Sequence, residues 1–241
     1  MKDGFYNEFE FINELNNKQY SELKDKFKKL IGNIYGNSIY TKISCYKSFK
    51  TDKTDFVIVV NDIKKNISLK NGKNNSVHME HINAFISFLQ ENKVKKKYID
   101  IYKNYHYASD KFGNRTSANE YKLDHKKEIC KFNNYINRHR RLVYKFIYRC
   151  LFKGIHKENN IVDYVIYGTV DNFFWLSRDQ ILKYLINYKD IFTSIHFSAL
   201  VLQPWTRNLN YNEKYEYRRD YVQVKWYRLE EKINDILNLD S

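Results

Sequence analysis

The chain has 241 residues, 43% of them hydrophobic and 17% aromatic, with a formal net charge of +14. This composition supports one large domain, or a core with a substantial appendage, and excludes disorder outside loops. No apolar run reaches bilayer length, Met1–Asn7 is too polar for a secretory leader, and Cys45, Cys130 and Cys150 form no metal-ligand pair or even disulfide framework, so reduced thiols in a cytoplasmic, membrane-free protein are expected.

A single proline and seven glycines leave few breakers, which predicts long regular elements. The charge surplus points to a polyanionic partner, with nucleic acid ahead of an anionic membrane. An AT-rich coding sequence would also enrich Lys, Asn, Ile and Tyr, so the arginines carry more weight. None precedes Arg115. Arginine suits bidentate phosphate and guanine contacts, which assigns catalysis to the first half of the chain and recognition to the second.

In chain order, Phe5–Lys18 has helical periodicity, with Phe5, Phe9, Ile12 and Leu15 on one side. Glu8 falls inside that apolar arc, where a carboxylate needs a cation or a metal; a helix-flank acid paired with a nearby lysine is the plainer reading. Tyr20–Ile31 continues as an amphipathic helix ended by Gly32 and Gly36. Ser38–Phe49 alternates as a strand, and Lys47, Lys50 and Lys53 read as solvated loop charges.

Between Thr54 and Glu80 the runs Phe56–Val60 and Ile67–Leu69 flank the polar link Asn61–Asn66, which predicts an antiparallel hairpin. Asp55 stands at the mouth of its first strand and Lys70 at the exit of its second. Ser68, two residues before Lys70, shares its face. Val77–Glu91 reads as a helix burying Ile82, Phe85, Ile86 and Leu89, with His78, Glu80 and His81 in its first turn. An acid there commonly opposes the helix dipole, which weighs against a special role for Glu80.

Lys93–Asn104 reads as a strand and Tyr105–Leu123 as a polar loop. Lys126–Phe152 reads as one long helix stopped by Gly154. Its outer face carries Lys127, Lys131, Asn134, Arg138, Arg141, Lys145 and Arg149, and like charges at helical spacing repel unless a polyanion lies alongside. Asp163–Val170 is a strand, Ser177–Asn187 a helix, Ile195–Leu202 and Tyr221–Trp226 strands, and Leu229–Leu237 a closing helix. Gln203, Arg207, Asn208, Arg218 and Arg219, set among aromatics, suit base-edge and phosphate contact; a β-hairpin with a polar tip is the plainer reading. A rival centre, Gln223-Val224-Lys225 with Asp171 or Asp220, lacks a preceding hairpin with a placed acid.

Thr54-Asp55 and Ser68-Leu69-Lys70 together resemble the PD-(D/E)xK nuclease superfamily, in the variant with Ser-x-Lys and a displaced Glu. The resemblance covers about the first ninety residues. Thr54 replaces the proline and Ser68 replaces the acid before the lysine. One branch of the family with Ser/Thr-x-Lys draws the missing carboxylate from the following helix, which makes Glu80 the replacement here, and many members carry a further acid on the first helix, which is Glu8 here. The resemblance implies an α/β, restriction-endonuclease-like mixed sheet flanked by helices, with residues 1–104 as catalytic core and 105–241 as recognition region. It implies a Mg²⁺-dependent endonuclease on double-stranded DNA, foremost a type II restriction enzyme, with Asp55 and Glu80 on the metal, Lys70 orienting water, and a homodimer as the form that cuts both strands. A repair or RNA nuclease of the same fold, or a non-catalytic nucleic-acid-binding protein, are the alternatives.

Overall fold

The computed structural model describes residues 3–36, 42–48, 53–70, 75–108, 117–156, 160–190, 192–204 and 217–239. The chain opens with α1 (Asp3–Leu15), α2 (Asp25–Tyr35), β1 (Ser44–Lys47), β2 (Phe56–Val60) and β3 (Ile63–Lys70). After residue 74 it enters a second unit with β4 (Ser76–His81), α3 (Ile82–Glu91), α4 (Lys96–Tyr107), α5 (Ala118–Asp124), α6 (Lys126–Arg138) and α7 (Arg140–Tyr148). From residue 151 it returns to the first unit for β5 (Tyr164–Thr169) and β6 (Asn172–Ser177). The helix α8 (Arg178–Asn187) leads back to the second unit for β7 (His196–Phe197), β8 (Leu200–Gln203) and β9 (Tyr221–Trp226), and α9 (Leu229–Leu239) closes the chain in the first. Position 104, the expected division, lies inside the second unit, because that unit is assembled from two separate stretches of chain.

In the first unit the sheet runs β1-β2-β3-β5-β6, with only the β3–β5 pair parallel. The link between β2 and β3 is two residues, Asn61 and Asp62, with φ of 50° and 63°. Two left-handed residues make a type I′ turn, whose twist matches that of the strands it joins. The second strand of the hairpin therefore starts at Ile63 rather than Ile67. Central β2 buries Phe56, Val57, Ile58 and Val60, on both faces. Helix α1 packs through Asn7, Phe11 and Leu15, spaced by four, whereas Phe5 and Phe9 are 75% and 60% exposed. The expected stripe through Phe5 and Phe9 is thus wrong: Phe11 occupies the core slot, with ring centroids 5.8, 6.1 and 5.1 Å from Phe27, Phe56 and Phe173.

Strand β6, absent from the sequence reading, pairs with β5 residue for residue. Gly168 is required at this hairpin: its φ is +121°, and a Cβ there would strike the carbonyl oxygen of Asn172 and approach Cα of Phe173 to 2.9 Å.

The second unit holds an antiparallel sheet β4-β9-β8-β7. Its core is aromatic, with Phe85, Tyr102, Phe132, Phe146 and Phe197 fully buried. Residues 77–81 are strand, not the start of a helix, because they complete the sheet against β9; polar His78 and Glu80 mask that pattern. Residues 96–107 are helix, not strand, since Ile99, Tyr102, Tyr105 and His106 bury at helical spacing. The expected loop before Leu123 contains α5, opened by a Ser117–Glu120 capping box. The helix expected over Lys126–Phe152 breaks at His139 (φ −93°, ψ 74°) and ends in a π-helical turn, Arg149–Lys153. The break falls where the apolar stripe lapses: after Ile136 a continuous helix would need apolar residues at 139 and 140, which are His and Arg. Ile195–Leu202 is likewise two strands joined at Ser198 (φ 55°), held by Asn137 Oδ1 accepting from Ser198 N at 2.8 Å.

Candidate active site

The register Phe56↔Ile67 sets Asp55 opposite Ser68, and Asp55 N donates to Ile67 O at 2.8 Å. Asp55 Oδ2 accepts from Leu69 N at 2.5 Å and from Ser68 Oγ at 3.1 Å. Lys70 Nζ donates to Ser68 Oγ at 2.8 Å and to Leu69 O at 3.1 Å, and lies 3.7 Å from Asp55 Oδ2. Ser68 is buried, while Asp55 and Lys70 keep about a quarter of their side chains open to solvent (28% and 25%). The hairpin thus presents a carboxylate and an ammonium held by one hydroxyl, with the second carboxylate oxygen free of hydrogen bonds among the described residues.

Glu8 forms a 3.0 Å ion pair with Lys47, whose Nζ also sits 3.8 Å from the Phe5 ring centroid. Lys47 is therefore not a loop charge. It pairs with Phe56 across the sheet, and the adjacent Ser48 N donates to Asp55 O at 3.1 Å, so Glu8 and Asp55 share one end of the sheet. On the other side of Lys70, its parallel partner is Tyr167, whose side chain takes the same face of the sheet. Tyr167 OH donates to Glu230 Oε2 at 3.4 Å, and burial together with that carboxylate holds its phenol above the ordinary range, so it remains a donor. Tyr167 and Glu230 escaped sequence reasoning: nothing local links residues 70, 167 and 230.

Glu80 is placed differently from the expectation. It lies on β4 in the second unit, with its side chain wholly buried. Its Oε1 is 3.2 Å from Arg149 Nε and 3.1 Å from His78 Nε2, and its Oε2 pairs with the Arg149 terminal nitrogen. Burial pushes its pKa up, but the hydrogen bonds and charges of His78 and Arg149 outweigh that and hold it below the ordinary carboxylate value. Arg149 accordingly faces inward and leaves the basic outer face to Arg138, Arg141 and Lys145, all exposed. His81 caps α3, its Nδ1 accepting from Asn83 N at 3.2 Å.

Of the recognition candidates, Gln203 lies on β8, Arg218 stacks over Tyr217 at 5.3 Å, and Arg219 over Tyr107 at 5.6 Å. Arg207 and Asn208 lie outside the described residues. At the rival centre, Asp220 Oδ1 is taken by Tyr107 OH at 2.7 Å, Lys225 sits on the interior strand β9, and Asp171 belongs to the other unit.

The family-implied metal is Mg²⁺, a hard ion that keeps several waters and needs only one or two carboxylates besides substrate phosphate. The donor set fits that mode, since Asp55 is a partly exposed carboxylate that keeps one oxygen free of hydrogen bonds among the described residues. It does not supply an all-protein cage: among the described residues no three His, Cys, Asp or Glu side chains cluster closely enough for one.

No family model matches the chain, and no curated protein matches it. Among solved structures it is similar to the restriction endonuclease MspI in complex with its cognate DNA, with a TM-score of 0.53 at 12% identity over 83% of this chain and 77% of that one. The chain has a restriction-endonuclease-like fold.

Proposed function

We propose that the protein is a Mg²⁺-dependent endonuclease that hydrolyses DNA phosphodiester bonds, acting as a type II restriction enzyme. The observation that carries this reading is the Asp55–Ser68–Lys70 chain of contacts at the mouth of the hairpin. The fold it shares with a restriction endonuclease crystallised on DNA, and the net charge of +14, support it.

Phosphodiester hydrolysis needs neutralisation of charge developing on the phosphate and a water placed in line with the leaving oxygen. Mg²⁺ held by Asp55 would supply the Lewis acid that polarises the phosphate. Lys70, anchored by Ser68 Oγ and Leu69 O, offers an ammonium group that stabilises the developing negative charge or orients the attacking water. Ser68 positions both partners: it donates to Asp55 and accepts from Lys70, which fixes the hydroxyl proton towards the carboxylate. Glu8, neutralised by Lys47 in the free protein, is the second acid at this end of the sheet.

A second reading, a non-catalytic DNA-binding protein, is favoured by the engagement of Glu80 with Arg149 and of Glu8 with Lys47, which leaves Asp55, itself 3.7 Å from Lys70, as the candidate acid with an oxygen free of hydrogen bonds among the described residues. A nicking assay on supercoiled plasmid separates the two. Wild-type protein should cut with Mg²⁺ and not with EDTA, and Asp55→Asn and Lys70→Ala should each lower cleavage by about 10³-fold while binding DNA as before. Cleavage that persists in both variants, or no cleavage by the wild type on duplex, single-stranded or branched DNA, overturns the enzyme reading.

A further inference from the structure

The break between α6 and α7 opens a groove of about 690 Å³ in the second unit, lined by Glu91, Lys93, His139, Arg140, Arg141 and Lys145 among others. Four of these six are permanent cations and one is an acid. None of Lys93, Arg140, Arg141 and Lys145 forms an ion pair among the described residues; Lys145 instead donates to Asn92 Oδ1 at 2.7 Å. All four are exposed.

Apart from the Lys145–Asn92 hydrogen bond, no ion pair among the described residues accounts for the positions of these cations. These C-terminal carbonyls of α3 are satisfied without the lysine side chains: Phe88 O accepts from Asn92 Nδ2 at 2.8 Å and from Asn92 N at 3.2 Å, and Gln90 O from the Lys93 backbone amide at 2.8 Å. Arg140 and Arg141 sit in the first turn of α7, at the positive end of its dipole, where anionic side chains are normally favoured. That turn contains no acid, and the N-cap residue, His139, makes no side-chain cap. Its Nδ1 is directed instead to Tyr135 O, 2.6 Å away in α6. Leu142 N and Val143 N donate to His139 O at 2.8 and 3.1 Å, so the leading amides left for a ligand are those of Arg140 and Arg141, which share one place with a concentration of like charge.

We propose that this groove binds the phosphate backbone of duplex DNA, two or more consecutive phosphates lying against Lys93, Arg140, Arg141 and Lys145. The aromatic wall favours backbone over base contact. Tyr135 is stacked on Tyr98 at 3.8 Å and packs against His139 at 4.5 Å, so its ring faces are already covered and offer no platform on which an unpaired base can stack. What remains for recognition is charge and amide groups, the means by which proteins hold a duplex without reading its sequence. The site lies in a different unit from Asp55 and Lys70, and the proposal does not require cleavage.

The test is fluorescence anisotropy of the full chain in EDTA, with a labelled mixed-sequence 24-mer as duplex and as single strand. Arg140→Gln/Arg141→Gln and Lys93→Gln/Lys145→Gln should each weaken duplex binding about tenfold or more, and lower the slope of log K against log[salt] by about two. A control pair that removes equal charge from α2, Lys28→Gln/Lys29→Gln, should change neither by a comparable amount. The arginine pair should also melt at the same temperature as wild type or higher, because it relieves repulsion at the helix end; affinity and stability would then move in opposite directions, which a merely structural role does not produce. Equal losses in the groove and control variants, unchanged binding in the groove variants, or a loss confined to the single strand would each overturn the proposal. None of these readings depends on metal or cleavage, so the nuclease assignment can fail while the groove stands, and the reverse.

Discussion

Glu80 and Arg149 are joined by a two-armed ion pair inside the second unit, with the carboxylate of Glu80 fully buried and the guanidinium lying over the Phe88 ring at 5.3 Å. The pair links β4, the strand on which the chain enters this unit, to the π-helical turn by which it leaves. A buried ion pair adds little net stability over an apolar replacement, but removal of one partner strands the other charge out of water. Glu80 therefore acts within the fold of its unit, and its carboxylate is not available as it would be on an open helix turn.

Arg149→Ala should accordingly destabilise the protein by about 3–5 kcal/mol, read as a lower urea midpoint, far more than Arg138→Ala on the exposed face. The folded state holds the Glu80 pKa below its ordinary value of 4.5, so this stabilisation is complete above that pH and is lost as the pH falls below it. A wild-type acid limb no steeper than that of Glu80→Gln would refute the account.

His106 sets a second pH dependence at a different place on the scale. Its ring is fully buried and its Nε2 donates to Arg219 O at 2.8 Å, while Nδ1 has no hydrogen-bond partner among the described residues. Burial therefore lowers its pKa to about 4, against a partial upward pull from Asp220. The unfolded chain binds a proton here near pH 6.5 and the folded chain does not. Stability from this residue is thus present above pH 6.5 and declines towards pH 4, by about 3 kcal/mol in all. Chemical denaturation between pH 7 and pH 4.5 should show this slope in wild type and a shallower one in His106→Gln.

Ser68 should behave as a positioning residue. Its hydroxyl lies 3.1 Å from Asp55 and 2.8 Å from Lys70, and the backbone amide of Leu69 also holds Asp55. Ser68→Ala leaves that amide in place, so cleavage should fall about tenfold through kcat with KM little changed, against about 10³-fold for Lys70→Ala. Ser68→Thr, which keeps the hydroxyl, should recover most of the loss. Loss of kcat in Ser68→Thr as complete as in Lys70→Ala would show that the hydroxyl is not what matters.

The hairpin was legible because its signals are local. Two apolar runs about a polar stretch lie within sixteen residues, and period-2 alternation places Lys70 beside Ser68 without reference to the rest of the chain; the two-residue turn, and with it the register of Asp55 with Ser68, was hidden because residues 63–66 are mostly polar. Glu80 was misread for the opposite reason. Val77–His81 is strand only because β9, some 140 residues on, supplies the hydrogen bonds, and local spacing continues the periodicity of α3 back through it. Lys93–Asn104 failed in the same way, with β-prone tyrosines and isoleucines buried at helical spacing by the aromatic core they meet.

The sequence by itself determined the strongly basic composition, which is a sum over residue types, and the hairpin that carries Asp55, Ser68 and Lys70, whose signals lie close together in the chain. Only the tertiary structure decided that Arg149 turns inward to Glu80, that Lys47 pairs with Glu8, that Tyr167 brings Glu230 to the face of Lys70, and that the long basic helix breaks into a groove. Those are contacts between residues distant in sequence, and which of several possible partners a buried charge takes is set by the packing that removes water from it.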